Sequence, residues 1–72
     1  MNHYKNINGD SGIVAYEIGA TYITVKFAKS PRTYTYSYAK AGKENVEIMK
    51  RLAEEGTGLN AFINRHVRNL YD

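Results

Sequence analysis

Cysteine is missing from the sequence altogether. Disulfides and thiolate metal sites are therefore excluded, and this composition is most at home in a reducing compartment, so a cytoplasmic location is expected. No apolar run approaches the ~18 residues of a membrane-spanning helix, and Met1-Asn2-His3-Tyr4-Lys5 lacks the apolar centre of a signal peptide, so no membrane partner is expected. His3 and His66 are the only histidines, which leaves no metal-ligand spacing. Reaction chemistry is equally scarce. No serine stands in a nucleophile elbow, no Gly-rich phosphate loop joins a strand to a helix, and the glutamates group as a solvated helix face. The expectation is a protein that is not an enzyme and uses no metal or small-molecule cofactor.

What remains is a chain of 72 residues with seven tyrosines. A chain of this length buries only about 60% of its unfolded surface, so it reads as one domain with little apolar area to waste. Residues 13–72 are expected to form that domain, after a polar, Gly-rich and flexible lead-in over residues 1–12. The net charge is +3. It is unevenly placed: residues 1–40 hold five Lys and Arg against two acids, while residues 41–72 hold five against five. Within the second half the first helical segment takes all four glutamates, and Arg65 and Arg68 lie beyond it. This bias permits contact with nucleic acid, and it is also what ordinary solvation would produce.

Thr33-Tyr34-Thr35-Tyr36-Ser37-Tyr38 alternates tyrosine with small hydroxyl residues. Alternate side chains of a strand share a face, so the tyrosines are either core or a solvent-facing aromatic platform of the kind that stacks bases. Upstream, Ile13 to Ile18 and Thr21 to Phe27 read as two strands of a hairpin around Gly19-Ala20, with Ile18 opposite Thr21, Tyr16 opposite Ile23 and Val14 opposite Val25. One face then collects Val14, Tyr16, Ile18, Ile23, Val25 and Phe27. The parity of the next loop decides where the tyrosines go. An even loop over residues 28–31, with Pro31 in the turn, pairs Val25 with Tyr34 and Ile23 with Tyr36 and puts the rings on the apolar face; an odd loop exchanges the faces. A core this small favours the even loop, with Tyr38 the wettest of the three.

After Lys40-Ala41-Gly42 the apolar period lengthens. Val46, Met49, Leu52 and Ala53 form one helical stripe that Gly56 stops. Thr57 is then expected to cap a second helix with Leu59, Phe62, Ile63, Val67 and Leu70 buried and Asn60, Asn64 and Arg68 outside. The predicted fold is α+β, a three-stranded antiparallel meander followed by two helices packed on one face (β-β-β-α-α).

Val14-Ala15-Tyr16-Glu17, the central Tyr34-Thr35-Tyr36, and Phe62-Ile63-Asn64 with Val67, Arg68 and Tyr71 stand in an order and spacing that resembles the KTSC domain family. That domain occurs at the C-terminus of some lysyl-tRNA synthetases and as free-standing small bacterial proteins. The likeness spans about residues 14–71. It departs from the family pattern where Asn8-Gly9 replaces an opening serine pair, where Asn60 stands for a glycine, and where Ala39-Lys40 stands for Val-Pro, which blurs the start of the first helix. The family's activity is not established, and what the resemblance implies is the RNA-binding role proposed for it from its attachment to a tRNA synthetase.

The candidate nucleic-acid-binding residues are Lys26, Tyr34, Tyr36, Asn64, Arg65 and Arg68. The tyrosines could stack bases, or instead pack beneath the helices. Asn64 and Arg68, one helical turn apart, could read a phosphate or base edge with Arg65 adding charge, or Asn64 could tie down a neighbouring loop. Lys26 joins such a surface only if ligand crosses the open side of the sheet. Two functions follow: a non-catalytic module that binds RNA or another nucleic acid, and alternatively a protein-interaction or self-association module with no nucleic-acid role.

Overall fold

The computed structural model describes residues 1–7, 9 and 12–72. Four strands, β1 (Asn2–His3), β2 (Ile13–Ile18), β3 (Tyr22–Phe27) and β4 (Thr33–Ser37), form one antiparallel sheet in the order β1-β2-β3-β4. The alternation of β3 sets its two faces. Ile23 and Val25 are wholly buried, whereas Thr24 lies on the other side and shares a 2.9 Å hydroxyl hydrogen bond with Thr35 of β4. Val25 stands opposite Tyr34 and Ile23 opposite Tyr36, the register of an even connection, so both rings lie on the core face. Tyr36 is 2% exposed, and Tyr34 is half-buried beside the core.

Helices cover that face. Ser37 caps α1 (Tyr38–Ala41), its Oγ accepting from the Lys40 N–H, and α2 (Lys43–Glu55) follows the φ +95° kink at Gly42. α2 packs on β3 and β4 with Val46, Met49 and Ala53 buried and Leu52 at the core's margin. Gly56 ends it in the left-handed conformation that an L side chain resists. α3 (Leu59–Phe62) then runs into a π-helical turn, Ile63–Val67, which buries Ile63 and Val67.

Several expectations are corrected. Among the described residues the sheet has four strands and not three, and α1 and the π turn enlarge the two-helix outline. Asn2–His3 is a strand that was not expected: β1 pairs with β2, and Tyr4, 1% exposed, drops into the core with its N–H donating to the Val14 carbonyl. The sheet and helices leave a gap beside Leu59 that a large ring fills, and the Leu59 N–H donates to the Tyr4 hydroxyl. Of the Gly-rich stretch expected as a turn, Asn8, Asp10 and Ser11 lie outside the described residues.

The β2–β3 register is displaced by two residues from the expected one, with Ile18 opposite Ile23 and Tyr16 opposite Val25. The faces survive this shift because the side-chain period is two. The turn has moved along the chain: the Gly19 N–H donates to the Tyr22 carbonyl at 2.9 Å, and the Tyr22 ring lies over Gly19 so closely that a Cβ there would stand 2.0 Å from it. A bulge between Ile13 and Ala15 reverses one further assignment: Ile13 is buried and Val14 is exposed, where Val14 was expected in the core. Tyr38 begins α1 and does not extend β4, because Ser37 caps a helix there. Gly58, and not Thr57, is the N-cap of α3. Leu70 stays exposed, since the chain leaves helical geometry after the π turn.

Candidate functional site

Where β3 ends and β4 begins, the sheet meets the π turn and the last residues of the chain around a cleft of about 330 Å³. Its floor is the buried pair Tyr36 and Ile63. One wall is aromatic, formed by Phe27, Tyr34 and Tyr71; the other is polar, formed by Asn64, Arg68 and Asn69, with Ser30 at the rim. The rings interlock edge to face, Phe27 with Tyr34 at 5.6 Å between centroids, Tyr34 with Tyr71 at 4.9 Å, and Tyr36 with Tyr71 at 6.4 Å. The chain beyond the π turn is stitched to β4. The Asp72 N–H donates to the Thr35 carbonyl at 2.7 Å, and the Ser37 hydroxyl donates to the Asp72 carboxylate at 2.8 Å. This holds Tyr71 against the tyrosines of the sheet.

The polar wall depends on the π turn. On an α-helix, residues five apart sit about 140° from one another and face different ways. The π turn and the turn that follows it break this α-helical spacing, and Asn64 on the π turn and Asn69 two residues beyond it line the same cleft. Arg68 and the two amides are exposed, and their hydrogen-bonding groups are open to a ligand.

Positive charge collects here. The Arg32 guanidinium lies 5.5 Å from the centre of the Tyr34 ring. Among the described residues the ion pairs, Glu47 with Lys50 and Arg51 with Glu55, are confined to α2, so Arg32, Arg65 and Arg68 carry charge that no carboxylate pairs. No acidic side chain lines the cleft among the described residues. Burial pushes the Tyr36 phenol up to about 12, helped by the neighbouring Tyr34 and Tyr71 phenols. It therefore stays protonated at neutral pH and keeps a hydrogen to donate.

Of the residues singled out in the sequence, Tyr34, Tyr36, Asn64 and Arg68 are brought together in this cleft. Arg65 is exposed on the π turn outside the lining. Lys26 lies on the opposite face, where its ammonium donates to the Ser30 carbonyl at 2.7 Å and the Phe27 carbonyl at 3.5 Å, strapping the β3–β4 connection. Sequence reasoning passed over Phe27, Asn69, Tyr71 and Arg32 as site residues. Arg32 could have been found, because it stands two positions before Tyr34 and shares its side of the chain.

A second polar cluster joins α1 to α2. The Tyr38 hydroxyl donates to the Glu47 carboxylate, which also pairs with Lys50, and the Lys43 and Lys50 ammoniums flank the Tyr38 ring at 5.9 and 5.3 Å. The Tyr38 hydrogen bond, followed by Lys50, holds the Glu47 carboxyl below its ordinary range, and the same contacts with Glu47 raise Tyr38 and Lys50. The cluster is at the surface and its charges satisfy one another, so it acts as a strap. His66 stacks on Phe62 at 4.6 Å, and no group of three metal-ligating side chains occurs among the described residues. No helix of the described residues is long and apolar enough to cross a membrane. No family model, curated protein or solved structure matches the chain.

Proposed function

We propose that this chain is a non-catalytic binding module of the cytoplasm whose ligand is a nucleic acid, RNA foremost, and that it is a divergent relative of the KTSC domain. The observation that carries this reading is the pairing of a guanidinium and two amides with an aromatic wall in one cleft that has no acidic lining among the described residues. Aromatic faces accept bases of any sequence, arginine neutralises phosphate, and amides reach base edges. Tyr34, Tyr36, Asn64, Arg68 and Tyr71 belong both to the cleft and to the motifs behind the family resemblance.

A second reading, a protein-interaction or self-association module, is favoured by the sheet face bearing Thr24, Lys26 and Thr35, which lies opposite the core. A heteronuclear NMR titration with a mixed tRNA pool, at low and then moderate salt, separates the two. Salt-sensitive shifts around Tyr34, Arg68 and Tyr71 are expected. Unmoved spectra at low salt would give the second reading the lead.

A further inference from the structure

Resting on the reading that the ligand is RNA, we infer that the cleft seats a single unpaired nucleotide of a single strand, its base against Tyr34 and Tyr71 with its edge on Asn64 and Asn69, and an adjoining phosphate on Arg68 and Arg32. Three observations point this way. First, the size is that of one such group: about 330 Å³ lies at the small end of the ~300–1,000 Å³ of ligand pockets. A base still stacked in a duplex cannot enter a concavity lined on one side by rings and on the other by a helical turn.

Second, the wall is chemically two-sided. A site for a bare anion needs only donors, whereas Asn64 and Asn69 each offer an amide carbonyl beside an NH2. Paired donor and acceptor groups suit the edge of a base, which presents both.

Third, the cations beside the cleft are few. Arg68 lines it, Arg32 lies over the Tyr34 ring and Arg65 is on the adjoining π turn, while Lys26 is tied to backbone carbonyls on the far face and Lys50 and Arg51 are paired on α2. A protein that tracks a long backbone needs an extended basic groove. Three arginines instead set a shallow salt dependence, with a slope of log K against log salt near −2, at ~0.7 per phosphate of a single strand.

The test measures fluorescence anisotropy of a labelled short oligoadenylate and of a blunt RNA duplex over roughly 50 to 200 mM salt, with unlabelled adenosine monophosphate as competitor. The oligoadenylate should bind at least ~10-fold tighter than the duplex, adenosine monophosphate should displace it, and Asn64→Ala and Arg68→Ala should each weaken it ~5–10-fold. Arg68→Ala should also lower the slope by ~0.7. Both residues are exposed, so these variants keep the fold. Equal affinity for the duplex, a slope steeper than about −4, or oligoadenylate binding that ignores both substitutions would overturn the pocket and leave the RNA module standing. If adenosine monophosphate shifts the NMR signals of Tyr34 and Arg68 while no RNA binds, the RNA module falls and the pocket remains; silence from both probes ends both.

Discussion

The ring of Tyr71 stands edge-on to that of Tyr34, with centroids 4.9 Å apart and planes at 82°. Phe27 meets Tyr34 at 76° from another side, and Arg32 lies near its face. Tyr34 is thus held in one orientation by three neighbours while remaining half-exposed to the cleft. Tyr36, two residues on, has the same facing but a different task. It is 2% exposed and belongs to the core.

That difference is measurable. Tyr36→Ala removes a buried ring and should cost ~3–5 kcal/mol, whereas half-buried Tyr34→Ala should cost about 2 kcal/mol. A domain of this size has only ~4–10 kcal/mol to lose, so Tyr36→Ala should approach collapse in urea denaturation while Tyr34→Ala folds. A larger loss at Tyr34 would mean that the ring is structural and not chiefly part of the cleft.

The parity of the β3–β4 loop was legible because Tyr34 and Tyr36 repeat at period two and a small core cannot spare them. The bulge at Val14 was not, since Ile13 and Val14 are both apolar and β-branched and either could face inward. Tyr4 was hidden for another reason: a single aromatic among polar residues has no period, and its place depends on a gap formed by distant elements. At Tyr38 the strand alternation continued through the sequence, but the Ser37 cap decided the backbone. Asn64 and Arg68 were found together because an α-helical spacing of four already groups them. Asn69 lies beyond the π turn, five residues from Asn64, a spacing that an α-helix would send to another side.

Tyr4 also completes a helix. α3 has no side-chain cap, and the N–H of its first residue, Leu59, donates to the Tyr4 hydroxyl at 3.4 Å inside the core. Tyr4→Phe keeps the ring and removes the acceptor, and should cost about 1 kcal/mol with faster hydrogen exchange at the Leu59 amide. Tyr4→Ala should cost ~3–5 kcal/mol, because the ring is lost as well. Unchanged exchange at Leu59 in Tyr4→Phe would show that this hydroxyl does not cap α3.

Gly56 and Gly58 share a left-handed backbone, at φ +82° and +81°, but not their surroundings. A Cβ at Gly56 would lie 2.6 Å from the Lys5 Cβ, whereas at Gly58 the nearest atom, Leu52 Cδ2, is 3.6 Å away. Gly58→Ala should cost only the conformational ~1–2 kcal/mol, and Gly56→Ala that plus about 1 kcal/mol or more of overpacking. Lys5→Gly removes the opposing Cβ, so in a double-mutant cycle it should recover the excess at Gly56 and none at Gly58. Equal costs at the two glycines, measured by urea denaturation, would place the segment around Lys5 away from the end of α2.

Alkali offers a test of Tyr36 that needs no substitution to begin. Its phenol titrates near pH 10 in an unfolded chain and at about 12 in the fold, where burial and then Tyr34 and Tyr71 oppose the phenolate. The native state therefore holds this proton more tightly than the unfolded state. Stability from this group is intact below pH 10 and is lost as pH rises through 12, amounting to roughly 2–3 kcal/mol. Urea midpoints should fall across that window, and one tyrosine should ionise late or only with unfolding when tyrosinate absorbance is followed. Tyr36→Phe keeps the ring and removes the titration, so its stability should decline less steeply over the same range. If the variant and the parent chain decline in parallel, the alkaline loss belongs to other groups and the Tyr36 phenol is better solvated than its burial implies.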